Sequence, residues 1–117
     1  MSLQTALQAV PLASIDMGSN SFRLELASLN RGNYKRIEYL KETVRLGAGL
    51  DAEGMLSEVA MQRGLECLQR FALRLNGFTP VRIRAVATQT LREARNRNDF
   101  LARAQQVLGF PIEVISG

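Results

Sequence analysis

Two apolar runs, over residues 12–16 and 22–29, are separated by little more than Gly18-Ser19-Asn20-Ser21. That spacing leaves no room for a helix between them, so the chain must double back as two antiparallel strands joined by a tight turn. Asp16 closes the first run; in the second, Phe22, Leu24 and Leu26 alternate with Arg23 and Glu25, the period of a half-buried strand. The cluster Asn30-Arg31-Gly32-Asn33 predicts another turn, followed by a third strand at about 34–42. The first third of the chain is therefore an antiparallel meander.

Beyond it the apolar period changes. Leu46-Gly47-Ala48-Gly49-Leu50, extended by Gly54, reads as a flexible loop. Ser57 is placed to cap a helix over 58–76, in which Met61, Leu65, Leu68, Ala72 and Leu75 share one face. Gly77 suits the position just past that helix, with Pro80 beyond. Val81–Ala87 predicts a fourth strand and Thr88–Arg95 a short helix. Asn98 or Asp99 is placed to cap a last helix through Leu108, with Leu101, Ala104 and Leu108 inward and Gly109 and Pro111 ending it. Ile112–Ile115 completes the pattern β-β-β-α-β-α-β. Helices between strands require crossovers onto a parallel part of the sheet, so the expected fold is α/β, a mixed five-stranded sheet with helices packed on it. Residues 1–11 are expected to be a lead-in, and 12–117 one subdomain.

Composition narrows the chemistry. The chain has 117 residues, 46% of them hydrophobic, enough for one core. Its fifteen basic residues are thirteen Arg and only Lys35 and Lys41. Guanidinium forks match phosphate oxygens, although a GC-rich coding sequence produces the same bias. There is no His, which excludes Ser-His-Asp triads, Cys-His pairs and His-built zinc sites from this chain. Cys67 stands alone within a helical apolar pattern, as a core residue in a reducing compartment would. The first fifteen residues carry no charge and no run approaches about 20 apolar residues, so neither a secretory signal nor a transmembrane segment is expected, and a cytoplasmic location is.

Asp16 carries the first chemical signal. A carboxylate at a strand end beside Gly18, Ser19, Asn20 and Ser21 suits a phosphate and its cation. Gly18 is free to take φ > 0 and admit a close ligand, the amides of Ser19, Asn20 and Ser21 to form an anion-binding concavity, and Asp16 to hold the metal. A hairpin with a polar turn accounts for the same residues. Between Arg82 and Arg103 six Arg face two acids, yet without interleaved aromatics for base stacking, which argues against specific nucleic-acid binding.

Four segments carry a resemblance: Ile15-Asp16-Met17-Gly18-Ser19-Asn20-Ser21-Phe22-Arg23, Arg45-Leu46-Gly47-Ala48-Gly49-Leu50, Ala85-Val86-Ala87-Thr88-Gln89-Thr90-Leu91-Arg92-Glu93-Ala94-Arg95-Asn96, and Pro111-Ile112-Glu113-Val114-Ile115-Ser116-Gly117. In this order they resemble the N-terminal part of the exopolyphosphatase and guanosine pentaphosphate phosphohydrolase family, within the acetate-kinase, sugar-kinase, Hsp70 and actin superfamily. The resemblance implies a ribonuclease H-like half-domain and release of terminal phosphate from inorganic polyphosphate or guanosine pentaphosphate, with Mg²⁺ or a similar ion. It implies that Gly18, Ser19, Asn20 and Ser21 form the first phosphate loop, that Asp16 lies near the metal, and that Arg92 faces the active site as a catalytic charge. Arg45 and Arg23 are further candidate phosphate contacts. The family's water-activating glutamate and second phosphate loop fall beyond Gly117. The expectation is thus a piece of a larger, homodimeric enzyme, inactive by itself. The Asp-x-Gly turn is shared with ATP-dependent kinases and ATPases of the superfamily, which stay open as an alternative beside a non-catalytic polyanion-binding module.

Overall fold

The computed structural model describes residues 9–115, so most of the expected lead-in over 1–11 and the last two residues of the fourth segment, Ser116 and Gly117, lie outside the described residues. The elements run β1 (Val10–Met17), β2 (Ser21–Asn30), β3 (Asn33–Thr43), α1 (Glu58–Arg74), β4 (Ile83–Ala87), α2 (Gln89–Glu93), α3 (Arg97–Leu108) and β5 (Glu113–Val114). They form one five-stranded sheet in the order β3-β2-β1-β4-β5. The β1–β2 and β2–β3 pairs are antiparallel, β1–β4 and β4–β5 parallel. This is the mixed α/β sheet of a ribonuclease H-like half-domain that the element order predicts. Among the described residues no helix is long and apolar enough to cross a membrane.

The core lies on one face of the sheet. Ile15, Met17, Phe22 and Leu24 are buried beneath α1, while Ser14 and Arg23 on the opposite face are exposed. From α1 come Met61, Leu65, Leu68 and Phe71, and from α3 Phe100 and Ala104. Each large side chain removed from water in this way is worth about 1.5–3 kcal/mol. Gly64 sits mid-helix because a Cβ there would stand 3.0 Å from the Phe100 ring. Phe71 and Phe100 thus do work assigned from spacing to Ala72, Leu101 and Leu108, which are only half-buried. Cys67 is a core residue, and burial pushes its thiol up to about 12.

Capping and ion pairs fix α1 over the meander. The Ser57 hydroxyl accepts the Ala60 N–H at 3.1 Å, as its position predicts. Arg70 grips both oxygens of Glu42 on β3, at 2.6 and 2.9 Å, and holds that carboxyl below its usual range. Arg103 on α3 binds Glu58 at 2.5 Å, and with Gln62 draws that carboxyl down to about 2.

Three local readings change. Pro80–Arg82 forms a 3₁₀ turn, so β4 begins at Ile83 rather than 81. Asn96, not Asn98 or Asp99, precedes α3, and its amide is spent elsewhere: it accepts the Leu56 N–H at 2.9 Å and donates to the Leu56 carbonyl at 3.0 Å. The glycine segment is not a flexible loop. Gly47–Gly49 is a 3₁₀ turn packed on α1, where a Cβ on Gly49 would fall 2.2 Å from that of Ala60.

Candidate functional site

Because β1, β4 and β5 are parallel, with Met17 beside Ala87 and Ala87 beside Val114, their carboxyl ends meet at one edge of the sheet. β2 begins and β3 ends at the same edge, with Ser21 opposite Thr43. Open α/β sheets bind ligands at this kind of edge. Asp16, the turn from Gly18 to Ser21, Arg45 and Arg92 all belong to the segments gathered there.

The turn is held from outside. Its Asn20 carbonyl accepts the N–H groups of Val44 at 3.0 Å and Arg45 at 2.8 Å, and its Ser19 carbonyl accepts the Gly47 N–H at 2.8 Å. The Thr90 and Ser19 hydroxyls are hydrogen-bonded to each other at 2.7 Å. By contrast, the amides of Ser19 and Asn20 have no protein acceptor among the described residues. A turn whose Ser19, Asn20 and Ser21 carbonyls are consumed while its Ser19 and Asn20 N–H groups are spare is a donor surface, suited to an anion. Gly18 contributes differently from the expectation. Its φ is not positive; it keeps the approach close, since a Cβ would press at 3.1 Å on the Ser21 carbonyl, which Gly18's own N–H binds at 3.0 Å. Ser21, 5% exposed, closes the turn from inside.

The charged groups stand apart around it. Asp16, one residue before the end of β1, pairs with Arg23 across the strands at 3.8 Å, both side chains about half exposed, at 45% and 47%. So loose a pair contributes little stability and leaves the carboxylate available. Arg45 has φ 56°, rare for a residue with a Cβ. That conformation is braced on both sides: Asn20 takes its N–H, and Arg63 of α1 donates to the carbonyls of Val44 at 2.9 Å and Arg45 at 3.1 Å. Arg92 is half-buried on α2 and donates to the Ile115 carbonyl at 2.8 Å. No ion pair joins Arg92 or Arg45 to Asp16 among the described residues. The structure therefore gathers the segments of the predicted site, pairs Asp16 with Arg23, and leaves Arg45 and Arg92 out of contact with Asp16 among the described residues.

Among the described residues no three His, Cys, Asp or Glu side chains cluster closely enough to cage a metal. A single carboxylate such as Asp16 fits Mg²⁺ nonetheless, since that ion keeps several waters and takes other ligands from phosphates. Thr90, Gly47 and Arg63 shape the turn and its flank but carry no signal that sequence reading isolates. The partner of Thr90 lies seventy-one residues away. A surface hollow between Leu12, Ser14, Tyr34 and Arg84 lies toward the other end of β1 and contains none of these groups.

A model of the Ppx/GppA phosphatase family matches residues 26–117. The Aquifex aeolicus PPX-GPPA enzyme superposes with a TM-score of 0.84 at 32% identity, over 92% of this chain and 36% of that one. An exopolyphosphatase-like protein gives 0.85 and 30%, over 94% and 34%. An exopolyphosphatase from Cytophaga hutchinsonii gives 0.85 and 29%, over 92% and 35%. The chain spans about a third of the length of these structures. Its sequence over 26–117 and its superposition on these enzymes lead to one conclusion: the chain belongs to the Ppx/GppA phosphatase family.

Proposed function

We propose that this chain supplies the first phosphate-binding loop of a phosphohydrolase that releases terminal phosphate from inorganic polyphosphate or guanosine pentaphosphate. The observation that carries the reading is the turn itself, whose carbonyls are locked and whose Ser19 and Asn20 amides are spare. Those amides would hold the oxygens of a terminal phosphate. Arg92, with Arg45 beside the turn, would offset the charge that shifts as the phosphorus–oxygen bond breaks. Asp16 would hold Mg²⁺ through water, and the ion when bound supplies further neutralisation of the phosphate oxygens. The attacking water needs a base, which this reading assigns to a glutamate beyond Gly117. The whole enzyme is read as a cytoplasmic homodimer.

The test is an amide NMR titration of this chain with sodium tripolyphosphate and Mg²⁺. Ser19 and Asn20 are expected to shift first, and more than with ATP or random-sequence RNA. A spectrum unchanged at both residues overturns the loop assignment; stronger shifts with ATP favour a kinase or ATPase. The chain alone is expected to release little phosphate. In the full-length enzyme, Arg92→Ala and Asp16→Ala are each expected to lower turnover by about 10²–10³.

A further inference from the structure

Thr90 is one of the few polar side chains in the interior, 4% exposed, and lies on the same short helix as Arg92. Its hydroxyl meets that of Ser19 at 2.7 Å. The junction has no spare volume: a Cβ on Gly47 would stand 3.1 Å from Thr90 Oγ1 and 3.2 Å from Ser19 Cβ. The Gly47 N–H closes the third side on the Ser19 carbonyl. Two distant segments thus converge on one serine.

A hydroxyl carries one proton and two lone pairs. Two hydroxyls 2.7 Å apart share one proton, and either can give it; with Thr90 as the donor, a lone pair of Ser19 is occupied and the Ser19 proton is left over. Among the described residues no acceptor takes that proton. Accepting a bond also polarises the Ser19 O–H and strengthens it as a donor. We propose that Thr90 is a positioning residue for the loop: by donating to Ser19 it turns that hydroxyl into a dedicated donor toward a phosphate oxygen, and it ties the helix bearing Arg92 to the turn. The proposal rests on the phosphate-loop reading above and deepens it by adding a third donor beside the Ser19 and Asn20 amides. Were the bond reversed, with Ser19 donating to Thr90, the loop would offer a phosphate only backbone groups.

The experiment compares tripolyphosphate affinity, by amide NMR, in the wild-type chain, Thr90→Val, Thr90→Ser, Ser19→Ala and the Thr90→Val/Ser19→Ala double variant. A hydrogen bond to a charged group sets the scale, so Thr90→Val and Ser19→Ala are each expected to weaken binding by on the order of tenfold. Thr90→Ser restores affinity to within about threefold, and Thr90→Val adds less than about twofold to Ser19→Ala, as residues acting through one another require. Wild-type affinity in a folded Thr90→Val overturns the proposal alone. Equal losses from Thr90→Val with and without Ser19 do the same. Absence of any shift at Ser19 and Asn20 in the wild type overturns the phosphate reading and the proposal with it. A second measurement needs neither ligand nor Thr90 variant: in the free chain, a slowly exchanging hydroxyl proton is expected on Thr90 and quickened by Ser19→Ala. A slow proton on Ser19 instead reverses the bond and overturns the proposal.

Discussion

Residues 18–21 and 30–33 each return one strand onto the next, at opposite ends of β2. At the far end Asn30 pairs with Asn33, and the two residues between them, Arg31 and Gly32, have φ 51° and 81°. Two positive φ values are the signature of a primed hairpin turn, whose twist matches that of its strands. A Cβ on Gly32 would meet nothing within 4 Å. At the near end no residue from 18 to 21 has positive φ, and the turn is gripped by Val44, Arg45, Gly47 and Thr90. Local backbone geometry is enough to reverse a chain. The near turn carries an additional constraint from distant segments, which fixes the direction in which its N–H groups point.

Gly49→Ala is the harshest test of that dependence. The new methyl group would fall 2.2 Å from the Ala60 Cβ, backbone-anchored on both sides, so α1 and the glycine turn must separate. Overpacking of this degree costs about 3 kcal/mol, or a fall of roughly 10 °C in melting temperature for a domain of this size. The amide signals of Ser19 and Asn20 are expected to broaden as Gly47 loosens its hold. Those of Arg31 and Gly32 should stay sharp. Equal broadening at both turns would erase the distinction between them.

Arg63→Ala removes a cation that donates to two carbonyls, beside a residue held in left-handed conformation. About 1–2 kcal/mol of stability is expected to go, by urea unfolding, less than a fully buried charged bond because Arg63 is exposed. Relaxation of Arg45 from φ 56° should follow, read from its amide and Cα shifts. An unchanged Arg45 would show that Asn20 alone braces it.

The two glycines separate the roles further. Gly32→Ala places a Cβ at φ 81° and is expected to cost about 1 kcal/mol, with no effect on tripolyphosphate binding. Gly18→Ala has no φ penalty but pushes on the Ser21 carbonyl 3.1 Å away. It should cost less stability and more affinity, in the same titration. Loss of binding in Gly32→Ala with retention in Gly18→Ala would invert the comparison.

The same contrast explains what the sequence made legible. Alternation of Phe22, Leu24 and Leu26, and the spacing of Met61, Leu65 and Leu68, locate strands and a helix because each signal is local and repeats. The far turn was readable from Asn30-Arg31-Gly32-Asn33 for the same reason. Gly18-Ser19-Asn20-Ser21 was recognisable as a turn, yet read alone it stayed divided between hairpin and phosphate loop. What favours the second reading, the bonds from Val44, Gly47 and Thr90, comes from chain distances that no local period encodes. Spacing passes over Phe100 and Asn96 for a related reason. Gly64 opens a space that Phe100 fills beside Phe22, and Leu56 claims the amide that would otherwise cap α3.

The smallest effect is a pH response confined to the far end. There the Tyr34 hydroxyl donates to Glu25, and that bond, with some desolvation and the Glu25 charge, pushes the phenol above its usual 10 while Arg36 opposes the rise. A group whose folded pKa is raised stabilises the fold below its unfolded value and loses that contribution as pH climbs through the folded one. Between about pH 10 and the higher folded value, the strand ends near Leu29 and Tyr34 should therefore loosen, seen as a rise of amide exchange there with pH, beyond the intrinsic rise, that Tyr34→Phe does not show. Glu25→Gln removes the negative acceptor and should bring the Tyr34 absorbance titration to lower pH. Because this end binds nothing in the reading above, Tyr34→Phe is expected to leave tripolyphosphate affinity at neutral pH unchanged. A loss of affinity in that variant would mean that the two turns communicate along β2, and that the site extends further than the edge holding Asp16 and Ser19.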